Sequence, residues 1–239
     1  MMKKFIFVLL AAIGTFAQVQ AQSIITGAWK FTDGKNEHHL FFQDGFFFHT
    51  QHNGNQFVMT RGGYFKIEGN KINVLVLFNS ADTLEVNKKE SIPFSIDHNF
   101  LALNLGKENT KFERVDDGKA PLAGVWQISG RMADDGKLVE IHQTGTRQTY
   151  KMLTSKKFQW VAIDPAKKQF MGTGGGTYSF TDGKYTENIE FFSRDNTRVG
   201  ASLTFDGKLE DGKWHHSGLS SKGAKIYEVW SKVKASPIF

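Results

Sequence analysis

The sequence predicts an all-β protein built as two tandem antiparallel up-and-down barrels. Three observations carry that prediction. First, the chain repeats itself. Gly27-Ala28-Trp29 opens one segment and Gly124-Val125-Trp126 opens another, while Lys111-Phe112-Glu113-Arg114 and Lys225-Ile226-Tyr227-Glu228 close them. Gly63-Tyr64-Phe65-Lys66-Ile67 lies over Gly176-Thr177-Tyr178-Ser179-Phe180, and Lys71 over Lys184, so 176 − 63 and 184 − 71 give the same offset of 113. A duplication of that length means one small domain and its copy. Second, Asx-Gly pairs recur at short intervals: Asp33-Gly34, Asp44-Gly45, Asn53-Gly54, Asp135-Gly136, Asp182-Gly183, Asp206-Gly207 and Asp211-Gly212. Such pairs supply the positive φ values of tight hairpins. Third, apolar residues between these turns alternate with period two, and after the first residues no helical period is sustained.

The first residues read as a secretory signal. Lys3 and Lys4 precede the apolar run Phe5 to Phe16, which is shorter than the ~20 residues a membrane-spanning helix needs. Val19-Gln20-Ala21 supplies small residues for cleavage after Ala21. The expectation is a periplasmic or secreted protein with no membrane span after residues 1–21 are removed. The chain has no cysteine, so disulfides play no part and each half relies on its apolar core.

Lys and Arg total 30 against 24 Asp and Glu, and removing Lys3 and Lys4 leaves 28 against 24. The basic residues are scattered and form no block, which argues against a nucleic-acid partner. Twenty-two phenylalanines and twenty-four glycines suit strands and the turns between them.

The first barrel is predicted over 22–116, a polar linker with Gly118 and Pro121 over 117–121, and the second barrel over 122–239. In the second copy, strands are expected near 124–130, 137–144, 147–154, 158–163, 172–181, 184–193, 201–205 with 214–218, and 225–233. The aromatic run Phe46-Phe47-Phe48-His49 is laid over Phe158-Gln159-Trp160-Val161. Eight short strands have an edge problem that closure removes, and an eight-stranded barrel can be filled or can hold one small ligand.

A Gly-x-Trp on the first strand, with Glu113-Arg114 or Glu228-x-Trp230-x-Lys232 on the last, resembles the lipocalin-like, or calycin, group. The second copy resembles lipocalin-like domains of secreted bacterial proteins, through Lys151 to Thr154, Phe158 to Val161, Gly174 to Tyr178 and Tyr185 to Glu190. The resemblance implies that each first-strand Trp closes a barrel base under a basic side chain of the last strand, Trp29 with Arg114 and Trp126 with Lys232. Aligned end to end, Val229 stands where Arg114 does. The resemblance also implies binding or transport of small apolar molecules, with a few catalytic members.

Glu187 is the most suggestive side chain. It shares a face with Tyr185, Ile189 and Phe191. If that face points inward, a carboxylate sits inside an apolar barrel and must be paired or protonated. If it points outward, or if Glu187 bonds Tyr178 or Arg147, its role is structural. Val74 holds its place in the first copy. Trp160, Tyr178 and Phe180 are expected to line the same cavity, with Phe48, Phe65 and Ile67 in the first copy, which reads as more apolar and more filled. The candidate ligand set is therefore Trp160, Tyr178, Glu187, Tyr185, Ile189, Phe180 and Arg147.

No catalytic residue, cofactor or metal is assigned from sequence. Gly172 to Thr177 leads into a strand, where a phosphate loop leads into a helix. The histidines, among them Glu140's strand neighbour His142 and the His215-His216 pair, show no recurring metal spacing and are expected at the surface. Three readings remain: a binder of a small, largely apolar ligand in the second barrel; an enzyme of the same fold using Glu187 as acid or base; and an interaction module with filled barrels.

Overall fold

The computed structural model describes residues 23–106, 109–133, 135–141, 145–219 and 223–235; the predicted signal at 1–21 and His142 lie outside them. The first eight strands are β1 (Gly27–Asp33), β2 (Asn36–Gln43), β3 (Phe46–Asn53), β4 (Gln56–Glu68), β5 (Lys71–Asn79), β6 (Lys89–Ile96), β7 (Phe100–Asn104) and β8 (Asn109–Asp116). They hydrogen-bond in chain order, and β1 pairs β8 to close a barrel.

The second set is β9 (Gly124–Met132), β10 (Leu138–Glu140), β11 (Gln148–Leu153), β12 (Lys157–Asp164), β13 (Gln169–Thr181), β14 (Lys184–Phe192), β15 (Ser202–Glu210), β16 (Lys213–Leu219) and β17 (Lys225–Val233). Eight of them, β9 and β11 to β17, run in order and close through β17 and β9. The protein is thus all-β, with two closed antiparallel up-and-down barrels of lipocalin-like architecture.

Two strand predictions are corrected. Within the segment near 137–144, the described residues form the short, exposed β10, which pairs the far half of β9 on the edge that β11 takes nearer its start. The segments near 201–205 and 214–218 are separate strands, β15 and β16, so the ring still counts eight. Their hairpin turns at Asp211-Gly212, with φ of 50° and 72°. Asp206-Gly207 makes no turn. It lies inside β15, where a Cβ on Gly207 would come within 2.8 Å of the Phe180 ring.

The registers also correct two alignments. Phe47 faces Gly63 as Phe158 faces Gly176, so Phe47 matches Phe158 and His49, not Phe48, matches Trp160. A one-residue slip exchanges the two faces of a strand. Trp29 pairs with Arg114 as Trp126 pairs with Lys232, so Lys232 is the counterpart of Arg114 and Val229 is not.

Each barrel floor is plugged as the resemblance implies. Trp29 is fully buried and donates its indole N–H to Ile25 O at 2.8 Å, and the Arg114 guanidinium lies 4.0 Å from its ring. Trp126 donates to Leu122 O at 2.9 Å, under Lys232 Nζ at 5.2 Å from its ring. Arg114 and Lys232 also close the floor by donating to the carbonyls of Ile24 and Ala123 respectively.

A bulge recurs at the same place in both barrels. The register shifts between Gly62 and Gly63 against β5 and between Gly175 and Gly176 against β14. A Cβ on Gly63 or Gly176 would lie 2.0 Å from the carbonyl oxygen of Leu75 or Asn188, so only glycine fits. The extra residue in β14 is Glu190, and it reverses the inward face beyond it. Phe192 therefore turns inward. Phe191, expected on the Glu187 face, points out and stacks on His52 of the first barrel at 5.6 Å.

The barrels share a core on their outer walls. Phe41, Phe46, Phe48 and Phe78 meet Tyr150, Met152, Val161 and Ile163 there. Several buried polar groups in this seam pair across it, as burial favours. Gln159 accepts from Thr50 Oγ1 and donates to Thr60 and Thr173. Asp116 accepts from Ala28 N of the first barrel and from Thr154 Oγ1 of the second.

Candidate functional site

The second barrel holds a cavity of about 490 Å³ whose lining includes Thr197 and Arg198 of the short helical turn Asn196–Arg198. Its volume lies in the ~300–1,000 Å³ range of ligand sites. Trp160, Phe192, Phe205 and Trp230 form aromatic walls, and Lys151, Glu187, His216 and Glu228 bring polar groups to the interior.

Lys151 comes from β11, where Tyr150 and Met152 face the seam and Lys151 therefore faces in. It is 5% exposed and its ammonium pairs with Glu187 Oε1. The same oxygen accepts the Tyr185 hydroxyl at 2.8 Å. Four aromatic rings, those of Tyr185, Trp214, Phe158 and Trp230, surround Lys151 Nζ at 5.0, 5.2, 5.5 and 5.7 Å. Burial, and then the Glu187 charge, push the Tyr185 hydroxyl well above the usual range, so it stays a donor.

Across β16 and β17, Glu228 Oε2 contacts His216 Nδ1 at 3.3 Å and accepts the Trp230 indole N–H at 3.1 Å. Burial opposes charge on Glu228, yet His216, Lys151 and Trp230 together outweigh it and hold the carboxyl below its usual range. Burial, with Lys151, lowers the His216 imidazole against the pull of Glu228 and Glu187. A carboxylate at Nδ1 places the proton there, so Nε2 carries the lone pair. That atom is buried and has no hydrogen-bond partner among the described residues.

The first barrel shows what the fold requires without these groups. Leu40 faces Trp29 as Lys151 faces Trp126. Val74 faces Phe65 as Glu187 faces Tyr178. Leu103 faces Thr110 as His216 faces Glu228. Leu40, Val74, Leu103 and Thr110 thus stand in the first barrel where Lys151, Glu187, His216 and Glu228 stand in the second.

The first barrel is the more filled of the two, as expected, but not completely. It holds a cavity of about 370 Å³ lined by residues such as Leu40, Phe42, Ile72, Val74 and Leu103. Its charged wall groups are Arg61 and Glu90, which pair through two hydrogen bonds of 3.3 and 2.8 Å.

Three expected site residues line the second cavity: Trp160, Glu187 and Ile189. Tyr185 lies beneath and acts through Glu187. Tyr178 is buried lower in the core and donates to Thr154 O at 2.6 Å. Phe180 packs at the core edge over Gly207, away from the cavity wall. Arg147 is exposed before β11 and does not reach Glu187, whose cation is Lys151. Sequence reading missed Lys151, His216 and Glu228. The signals were present: Lys151 alternates with Leu153, His216 with Trp214, and Glu228 belongs to the Glu-x-Trp-x-Lys motif.

The histidines are not all at the surface. His39, His52 and His216 are buried. Burial, with His38 and Arg61, lowers His49 to about 3. An unfolded chain takes up that proton below about pH 6.5, while the folded chain refuses it until about pH 3. Stability present above pH 6.5 is therefore lost as pH falls through this window. His49 alone is expected to remove about 3 kcal/mol between pH 7 and 4.5, and His216 acts in the same direction. Urea unfolding at the two pH values measures this, and an unchanged midpoint contradicts it.

Residues 121–238, which contain the second barrel, match a family described as a domain of unknown function, DUF4488. Among solved structures, the chain is similar to a lipocalin-like protein from Bacteroides uniformis ATCC 8492, with 14% identity, a TM-score of 0.34, and coverage of 48% of this chain and 100% of that one. It is also similar to an uncharacterized protein from Bacteroides eggerthii DSM 20697, with 15% identity, a TM-score of 0.32, and coverage of 46% and 98%. No curated protein matches. The fold is that of two closed up-and-down barrels in tandem, the second of which coincides with the matched family domain.

Proposed function

We propose that the protein is an exported binder of a small, largely apolar molecule, held in the second barrel with its polar end at Lys151, Glu187, His216 and Glu228. The observation that carries this reading is the exchange between the copies. Buried ion pairs are weak contributors to stability, and apolar residues of similar volume commonly do as well or better. The first barrel closes with leucine, valine and threonine at these places. The fold does not need the charges, so their concentration around an open aromatic cavity supports a ligand role.

Trp160 and Trp230 report occupancy. Mass spectrometry of the natively purified chain should detect a co-purifying small molecule. Its readdition to stripped protein should change tryptophan fluorescence saturably at one equivalent. Glu187→Gln should weaken that binding at least tenfold. Unchanged affinity in Glu187→Gln would remove Glu187 from the site, and stripped protein that binds nothing would end the reading. Export rests on the Lys3-Lys4 flank and the apolar run after it. N-terminal sequencing of the protein from its native host should begin at Gln22.

One observation favours a catalytic variant of this reading. The Glu228–His216 pair leaves an imidazole lone pair unengaged in the site, which suits a general base. In that case His216→Gln would abolish turnover of the bound molecule while leaving it bound.

A further inference from the structure

A second cluster lies outside both barrels, on the outer wall of β2 and β3 where the first barrel meets the second. Glu37 and His52 are direct cross-strand partners, and His39 lies two residues from Glu37 on the same face. In an antiparallel pair, such neighbours have Cβ atoms close enough for their side chains to converge on one point. Here they do converge. His39 Nε2 and His52 Nε2 are 3.0 Å apart, and Glu37 Oε2 lies 3.9 Å from His39 Nε2. All three potential ligand atoms fall within 4.8 Å of one another.

We propose that Glu37, His39 and His52 bind one divalent transition-metal ion of the zinc type at the seam between the barrels. The tautomer of His52 supports it. His52 Nδ1 lies 3.0 Å from Gly54 O, an acceptor only, so Nδ1 carries the proton and Nε2 presents its lone pair to the cluster. A carbonyl that fixes the far nitrogen of a histidine is the usual support of a metal ligand. Zinc held by two imidazoles at ~2.0–2.1 Å in tetrahedral geometry sets the nitrogens about 3.3 Å apart, so the rings need to part by only a few tenths of an ångström. The donor set of two imidazoles and one carboxylate suits zinc over calcium or magnesium, which take oxygen.

The surroundings hold the ligands in place. His39 and His52 are 4% and 3% exposed, and His52 stacks on Phe191 of the second barrel. Glu37 is exposed, which gives an ion a path from solvent and leaves a coordination position for water. Lys157 brings a positive charge to bear on His39, and Glu190 matches it through bonds of 2.8 and 2.6 Å.

Calorimetric titration of the chelator-treated full chain with zinc chloride tests the site. The expected result is one equivalent bound, with affinity reduced at least tenfold in His39→Asn and in His52→Asn. Glu37→Gln, at an exposed position where folding is not at stake, should reduce it severalfold. His215→Asn, on the second barrel, should leave it unchanged. Absence of zinc binding by the full chain overturns the proposal. So does binding of equal affinity in Glu37→Gln and in whichever histidine variants fold.

Discussion

Lys151→Leu is expected to destabilise the protein by about 3–5 kcal/mol, because it leaves the Glu187 carboxylate buried without its cation. Only the Tyr185 hydroxyl would then remain on Glu187 Oε1. The double variant Lys151→Leu/Glu187→Val installs the residues that the first barrel carries at Leu40 and Val74. It is expected to return to within about 1–2 kcal/mol of the parent or to exceed it, since replacing both members of a buried pair is far cheaper than removing one. Urea unfolding of the parent, the two single variants and the double variant gives the coupling directly. A double variant no more stable than Lys151→Leu alone would contradict the exchange argument.

Trp126→Ala is expected to cost about 3–5 kcal/mol, and Trp29→Ala about the same. Each removes the largest side chain of a barrel floor, a buried indole hydrogen bond and the surface on which a cation rests. Equal losses of unfolding free energy at 29 and 126 would match the equivalence of the two floors. A loss under 1 kcal/mol at either position would mean that its indole does not close the barrel.

The fold was legible because duplication, turn chemistry and period-two patterning agree with one another. The floors were legible through the resemblance to the lipocalin-like group, which implies a basic side chain of the last strand over each first-strand Trp. Errors arose where a strand departs from regularity. The bulge at Glu190 turned Phe191 outward and Phe192 inward, and no alternation rule shows that in advance. Asp206-Gly207 has turn chemistry but serves a different need, close passage of the Phe180 ring.

The site was half legible. Glu187 stood out as a carboxylate among apolar neighbours, but the sequence left the direction of its face open, and the structure turns it inward with Ile189. Lys151 did not stand out, because a lysine in a strand is ordinarily a solvent-facing residue. Its meaning depends on the register that sets it opposite Trp126, and so at the place of Leu40. His216 and Glu228 are paired across β16 and β17, a contact between strands that sequence distance conceals. Reading the two copies against each other in the structural register shows all four changes together.

Native mass spectrometry of the full chain and of Lys151→Leu/Glu187→Val tests the central claim most directly. The claim predicts one bound small molecule on the parent, and none on the double variant, with both proteins folded by circular dichroism. Equal loading of the two proteins would show that the ionic groups of the second barrel are not there for a ligand, and would contradict the account.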